Sequence, residues 1–517
     1  MDSFFSIALL SFLILLISIF LLLKKSKILA APLPPGPRGL PILGFLPYIQ
    51  KNLHFQFDKL AHKYGPIYKL WLGSKLCVVI SSPSLMKEIV REHDVIFANH
   101  DFTVAGMIAT SGGIDIVQSD YGPYWRKMRK LFVREMLSNN NLDASYTLRR
   151  DEVRRAIKNV YDCKIGMAIN IGELIFLTEI NVVLSLIWGG TVDESNRDRT
   201  GVEFKEKVSK LIELLDKPNV SDFFPVLEKF DFQGIMKELM NGVLPGIEET
   251  LDFVINKRKK MMLSGQVEEE EEEEKSDGAR KKDFLQILLE LKDEDGQPMT
   301  HTQIRVFLMD IVVGGTETTA TTVEWVMAEL LNNPDVMKRV QQELLDVVGK
   351  NNIVEESHIS KLQCLDAAVK ETFRLHPPLP FLIPRRPSES CIVGGYTVPK
   401  GSRVLMNVWS GYRDPQIWEN PSEFKPERFL KEGSTWDYAG SNFQYLPFGS
   451  GRRICPGLPL AEKMVMYMLA TFLHSFDWKL QEGEKLDMSE KFGIVMKKNK
   501  PLFAIPYQRL PDSNMYQ

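Results

Sequence analysis

The chain has 517 residues, of which 44% are hydrophobic and 25% charged. Such fractions belong to a folded protein and exclude a disordered chain, a collagen repeat or a small disulfide framework. Lys plus Arg number 64 against 67 acids, a net charge of -3, so the basic excess of a nucleic-acid binder is missing. Five scattered cysteines, Cys77, Cys163, Cys364, Cys391 and Cys455, offer no CxxC or Cys/His spacing for zinc. That is cytosolic usage.

Residues 3–23 carry no charge and are mostly Leu, Ile and Phe. About twenty helical residues rise about 30 Å, the thickness of a bilayer core, so the reading is one membrane anchor over residues 1–23. Lys24, Lys25 and Lys27 follow the apolar run, whereas a cleaved signal peptide has its positive charges in front. The positive-inside rule then puts the rest of the chain in the cytosol. Residues 24–45 combine that basic stop with Pro32, Pro34, Pro35, Pro37 and Pro41, a stiff extended hinge that would hold the body at a fixed offset from the membrane. Residues 46–517 form one large domain.

Within the body, residues 64–82 alternate in apolar character around Gly73 and Ser74, which predicts a β-hairpin. Trp125 and Arg129 lie four apart, so a helix there puts both on one face, with Lys127 and Lys130 pointing elsewhere. Residues 268–274 are seven consecutive glutamates, whose mutual repulsion predicts a solvated loop. Helical periodicity covers residues 304–331, 334–348 and 458–476. The predicted class is mainly α with a smaller β part.

The first of those helices holds Gly314-Gly315-Thr316-Glu317-Thr318. An interior glycine costs about 1 kcal/mol relative to alanine, so the pair wants a reason. Missing side chains would open a groove on that helix, beside the Thr318 hydroxyl and the Glu317 acid, two groups able to move protons. Asp310, Gly314 and Thr318 share one face. Further on, Glu371 and Arg374 are an i,i+3 pair, followed by Pro426-Glu427-Arg428-Phe429.

Cys455 stands apart from the other cysteines. It lies in Phe448-Gly449-Ser450-Gly451-Arg452-Arg453-Ile454-Cys455-Pro456-Gly457, directly before a helix. Glycines allow a tight turn and close approach to something flat, while the helix start offers N–H donors to a thiolate. Arg453 is placed to meet an anionic group beside it. A redox thiol is the other reading, but no resolving cysteine stands nearby.

The pattern Phe-x-x-Gly-x-Arg-x-Cys-x-Gly resembles the signature of the cytochrome P450 superfamily, and chance supplies it in about one chain of this length in several thousand. The other motifs occur in the family's order, so the resemblance covers the whole chain and looks most like plant microsomal, A-type members that oxidise terpenoids or flavonoids. Glu317 replaces the commoner Asp and Gly314 the commoner Ala. The resemblance implies the haem-thiolate fold, preceded by one transmembrane helix, in the endoplasmic reticulum membrane with its catalytic domain cytosolic. It implies haem b with Cys455 as axial iron ligand. Trp125, Arg129, Arg385 and Arg453 bind the cofactor, Glu317 and Thr318 are catalytic, and Glu371, Arg374 and Arg428 form a structural network.

No dinucleotide fingerprint occurs in the chain, so electrons from NADPH are expected through a separate cytochrome P450 reductase, docking on Lys127, Lys130 and Arg134. An isomerase or dehydratase of the same fold is the rival class; such relatives usually disrupt the threonine and alter the cysteine loop, and here both stand intact. By analogy, substrate meets residues 97–117, 310–313, 379–383 and 492–495. The candidates there, Phe102, Val104, Met107, Ile108, Val313, Leu379, Phe381, Leu382, Ile383 and Ile494, are apolar, with Asp310 and Thr103 as polar handles. A hydrophobic plant metabolite, a terpenoid such as a sesquiterpene, suits that lining better than a flavonoid.

Overall fold

The computed structural model describes residues 31–188, 194–264, 283–292, 296–430, 436–483 and 485–517. The expected anchor and the glutamate run lie outside these residues. The principal helices are α1 (Leu53–Tyr64), α2 (Pro123–Leu131), α3 (Tyr146–Lys164), α4 (Ile171–Trp188), α5 (Glu194–Asp216), α6 (His301–Asn332), α7 (Gln363–Leu375) and α8 (Leu458–Ser475). The strands that bear on the site are β1 (Ile67–Leu72), β2 (Lys75–Ile80), β3 (Asn99–His100), β4 (Arg385–Arg386), β5 (Arg403–Met406), β6 (Glu490–Lys491) and β7 (Lys497–Lys498).

The organising element is α6. Thr300 and Gln303 begin it with a reciprocal cap: Gln303 N–H donates to Thr300 Oγ1 at 3.2 Å and Thr300 N–H to Gln303 Oε1 at 2.9 Å. Asn333 ends it, since Pro334 disfavours a helical residue before it and instead opens the helix Pro334–Val347. Between these ends α6 is apolar on most sides, with Phe307, Leu308, Val312 and Trp325 fully buried, as a helix at the centre of a large core must be. It packs chiefly against α4, and also against α7 and α8. Among the described residues α4 alone is long and apolar enough to cross a membrane, yet 72% of it is buried in the body. It is a core helix.

The predicted hairpin is β1–β2, antiparallel with Leu72 opposite Lys75. The sheet continues in the order β1-β2-β5-β4-β3, with β2 parallel to β5 and the remaining pairs antiparallel. A second core joins α1 to this sheet through Phe57, Tyr68, Leu70, Val79 and Phe381. The described part of the proline-rich stretch hydrogen-bonds to the body. Lys69 N–H donates to Pro35 O at 2.8 Å and Thr397 N–H to Pro32 O at 2.9 Å, so its extended backbone finds its partners on the protein.

Candidate active site

The loop before α8 is built by backbone geometry. Gly449 and Gly451 take left-handed φ values of 74° and 73°. A Cβ on Gly451 would stand 2.5 Å from Val90 Cγ1, so neither conformation nor space admits another residue. Cys455 N–H donates to Phe448 O at 3.0 Å, closing the loop and aiming the side chain. Burial pushes the Cys455 thiol above its ordinary value, opposed by the Gly457 N–H, the Arg129 guanidinium and the Leu458 N–H. The donors seen in the sequence are therefore present, but desolvation outweighs them, and a bound metal cation is what tips such a thiol to thiolate.

Four basic side chains meet beside this loop. Pairing of β3 with β4 sets His100 opposite Arg385. Arg129 Nη2 donates to Ile454 O at 2.7 Å, and Arg385 Nη2 to Ser450 O at 3.3 Å. Arg453 donates to Ala98 O, to Ile116 O at 3.0 Å and to Ser119 O at 2.5 Å. Burial and the neighbouring guanidinium of Arg129 lower Arg385 to about 10, while burial, Arg385 and Arg129 lower Arg453 to about 9. His100 is held well below its ordinary value by burial and then by Arg385, Arg453 and Arg129, so it is neutral, with Nδ1–H donating to Val117 O at 2.7 Å. The three arginines spend their hydrogen bonds on carbonyl oxygens, and none forms an ion pair among the described residues. Concentrated buried positive charge of this kind calls for an anion.

The Trp125 indole N–H donates to Ile116 O at 2.9 Å. Its ring lies under Arg453 at 4.3 Å and Arg129 at 5.4 Å, a face that steadies both cations. Spacing along a helix discloses the shared face but not the distant carbonyl that captures the N–H. His100 escaped the sequence reading, because only the pairing of two remote strands brings it to Arg385.

On α6, a Cβ at Gly314 would meet nothing within 4 Å, whereas one at Gly315 would lie 3.3 Å from Val183 Cγ2. The first glycine opens space; the second serves packing against α4. Thr318 Oγ1 donates to Gly314 O at 2.8 Å. Glu317 projects to another side and pairs with Lys497 Nζ at 2.5 Å. Glu371, Arg374 and Arg428 meet as expected: Arg374 is bidentate to Glu371 at 2.7 and 2.8 Å, and Arg428 Nε reaches Glu371 Oε1 at 3.1 Å. Arg374 also supplies donors to Tyr412 O and Pro421 O, each at 2.7 Å, which ties α7 to the chain ahead of the cysteine loop.

The two polar handles are occupied by the protein. Asp310 accepts Ile116 N–H at 2.9 Å and Val117 N–H at 3.3 Å, and burial with the charge of Asp115 raises it well above the usual carboxylate range. Thr103 Oγ1 accepts Gly106 N–H at 3.1 Å as the cap of the short helix Val104–Ala109. Phe381, an expected lining residue, turns into the second core and meets Phe57 at 5.2 Å. Leu382 beside it has φ 51°, a strained value for leucine, with Cδ1 3.9 Å from where a Gly449 Cβ would lie. On α2, Lys127 and Lys130 are exposed opposite buried Trp125, Met128 and Leu131, and Arg134 is exposed beyond them.

A group suited to this place is flat, carries anionic arms for Arg129, Arg385 and Arg453, and brings a metal that a cysteine sulfur can bind. Haem meets each of these demands, so fold and site define a haem-thiolate protein. The family model for cytochrome P450 matches residues 34–505. Ferruginol synthase of Isodon rubescens is 36% identical over 92% of this chain and 94% of its own length. Geraniol 8-hydroxylase of Catharanthus roseus is 39% identical with the same coverage, and a flavonoid 3'-monooxygenase of Crocosmia x crocosmiiflora 37% identical over 95% and 96%. In fold, a zebra fish cytochrome P450 structure with progesterone aligns at TM-score 0.71 and 24% identity, over 88% of this chain and 99% of that one. The chain belongs to the cytochrome P450 family. It is a monooxygenase whose cofactor is haem iron, whose electrons come from NADPH through a reductase, and whose substrates are hydrophobic.

Proposed function

We propose that this P450 hydroxylates a terpenoid, with a sesquiterpene hydrocarbon as the scaffold its site suits best. The observation that carries the reading is the fate of Asp310 and Thr103: both hydrogen-bond backbone N–H groups, which leaves apolar surface for the substrate. A polyhydroxylated flavonoid would leave hydroxyls unpaired against that surface, at about 1–3 kcal/mol each. Relatives named for ferruginol and geraniol support the terpenoid reading; the relative named for a flavonoid makes the competing scaffold worth testing.

In this reading the Cys455 sulfur would bind the haem iron, and Arg129, Arg385 and Arg453, steadied by the Trp125 ring, would hold the cofactor's carboxylates. Haem bound there activates dioxygen and carries out oxygen insertion. The chain's own residues supply protons and exclude water. Thr318 must turn its hydroxyl away from Gly314 O to pass a proton inward, and Glu317 is the acid that replenishes it. Residues 1–23 anchor the protein once in the endoplasmic reticulum membrane, residues 24–45 form the hinge, and residues 46–517 form the cytosolic catalytic domain. Exposed Leu40, Ile42 and Leu43 give that end of the body an apolar face toward the bilayer. Lys127, Lys130 and Arg134 form the docking patch for the reductase.

Microsomes containing this protein and a plant reductase, fed a mixed panel of sesquiterpene hydrocarbons and flavones, test the proposal. NADPH-dependent hydroxylated sesquiterpene is the expected product. Hydroxylated flavone with no terpene product would overturn the substrate assignment.

A further inference from the structure

Glu317 and Thr318 are neighbours on α6, so their side chains leave the helix about 100° apart. Thr318 lies on the Gly314 face, while Glu317 reaches β7, where its carboxylate meets Lys497 Nζ at 2.5 Å. The Glu317 side chain is 13% exposed and that of Lys497 is 40% exposed, so the pair spans from the interior to solvent. The hairpin that carries Lys497 is itself fastened. Lys491 pairs with Lys497 across β6–β7, and the turn between them donates Ile494 N–H to Asp216 at the end of α5. A Cβ on Gly493 would lie 2.6 Å from Asp216 Oδ2, so a larger residue there would push on the carboxylate that holds the turn. On the next turns of α6, Glu324 accepts Leu502 N–H at 2.8 Å, close to Lys498.

We propose that Lys497 is a positioning residue for the Glu317 carboxylate, and that hairpin β6–β7 thereby sets where the proton-supplying acid stands relative to Thr318. The inference rests on the reading of Glu317 and Thr318 given above. A carboxylate on a flexible two-methylene stem has several rotamers, and an ammonium ion held by a pinned hairpin selects one of them at the mouth of the site. Each proton passed from Glu317 to Thr318 is replaced from water at the exposed end of the pair, so Lys497 itself is not consumed.

The stoichiometry of NADPH to dioxygen reads proton supply without a known substrate. Dioxygen with one NADPH and one proton gives hydrogen peroxide; with two NADPH and two protons it gives two waters. The full-length holoenzyme with reductase, without added substrate, is assayed as wild type, Lys497→Met, Lys497→Arg, Glu317→Gln and the double variant Glu317→Gln/Lys497→Met. Haem content and the reduced carbon-monoxide spectrum verify that each variant is folded. Lys497→Met is expected to raise the peroxide share about threefold or more, Lys497→Arg to restore it to within about twofold, and the double variant to match Glu317→Gln alone. A Lys497→Met enzyme with an unchanged peroxide share while Glu317→Gln leaks peroxide would overturn this inference alone. An unchanged share in Glu317→Gln would overturn the proton-supply reading beneath it. Additive effects in the double variant would show that Lys497 does not act through Glu317, and would also overturn the inference.

Discussion

Asp310→Asn is expected to stabilise the protein at neutral pH. Asp310 and Asp115 are buried carboxylates facing one another across α6 and the loop before α2, with Asp115 Oδ2 lacking any donor. Burial, only partly offset by backbone N–H donors, raises Asp115 from 3.8 to about 6, and Asp310 is raised as well. The folded state therefore holds a proton more tightly than the unfolded chain. The contribution of this pair to stability is greatest below about pH 4, falls as pH climbs from the unfolded value toward the folded one, and levels off above it. A rise from 3.8 to about 6 corresponds to about 3 kcal/mol lost at pH 8, as an order of magnitude. An asparagine at 310 keeps an oxygen for Ile116 N–H and offers Asp115 an N–H donor, removing the repulsion. Guanidinium unfolding of wild-type and Asp310→Asn holoprotein at pH 8 and pH 4.5 measures this. The variant should be more stable than wild type at pH 8, and the gain should shrink at pH 4.5. A variant no more stable than wild type at pH 8, or a gain that does not change with pH, would refute the shared-proton account.

Arg374→Met should destabilise the protein by about 3–5 kcal/mol, because it strips a buried carboxylate of its bidentate partner and two carbonyls of their donor; haem content and unfolding midpoint report it. Gly314→Ala should be tolerated or gain up to about 1 kcal/mol, since its Cβ enters open space in a helix, whereas Gly315→Ala must displace Val183 and gain less, as thermal unfolding of the pair would compare. Charge reversal of exposed Lys127 and Lys130 to Glu should slow reductase-supported turnover about tenfold while leaving the carbon-monoxide spectrum intact, with high salt narrowing the gap.

What the sequence disclosed was mostly local. Glycines around Cys455, the Gly314 gap and the Glu371–Arg374 spacing work within a few residues of chain, and the helices at 301–332 and 458–475 follow from apolar periodicity. What it hid depends on partners far away. The bond from the Trp125 N–H to Ile116 O depends on a loop that helical spacing does not place. Thr103 read as a polar handle because its capping bond to Gly106 requires knowing that a helix begins there. Phe381 is apolar in either place, so composition could not tell a substrate wall from the packing of α1 on the sheet. His100 reaches the arginines through strand register, and Lys497 reaches Glu317 across 180 positions, which no motif encodes.

Ile116 gives its N–H to Asp310 on α6 and its carbonyl oxygen to Arg453 of the cysteine loop and to Trp125 on α2. Three elements are thus joined through the backbone of a single residue, which meets the side chains of Asp310, Arg453 and Trp125. The junction at Ile116 is made by its backbone, so proline there would remove the N–H that Asp310 accepts and unfasten the loop from α6.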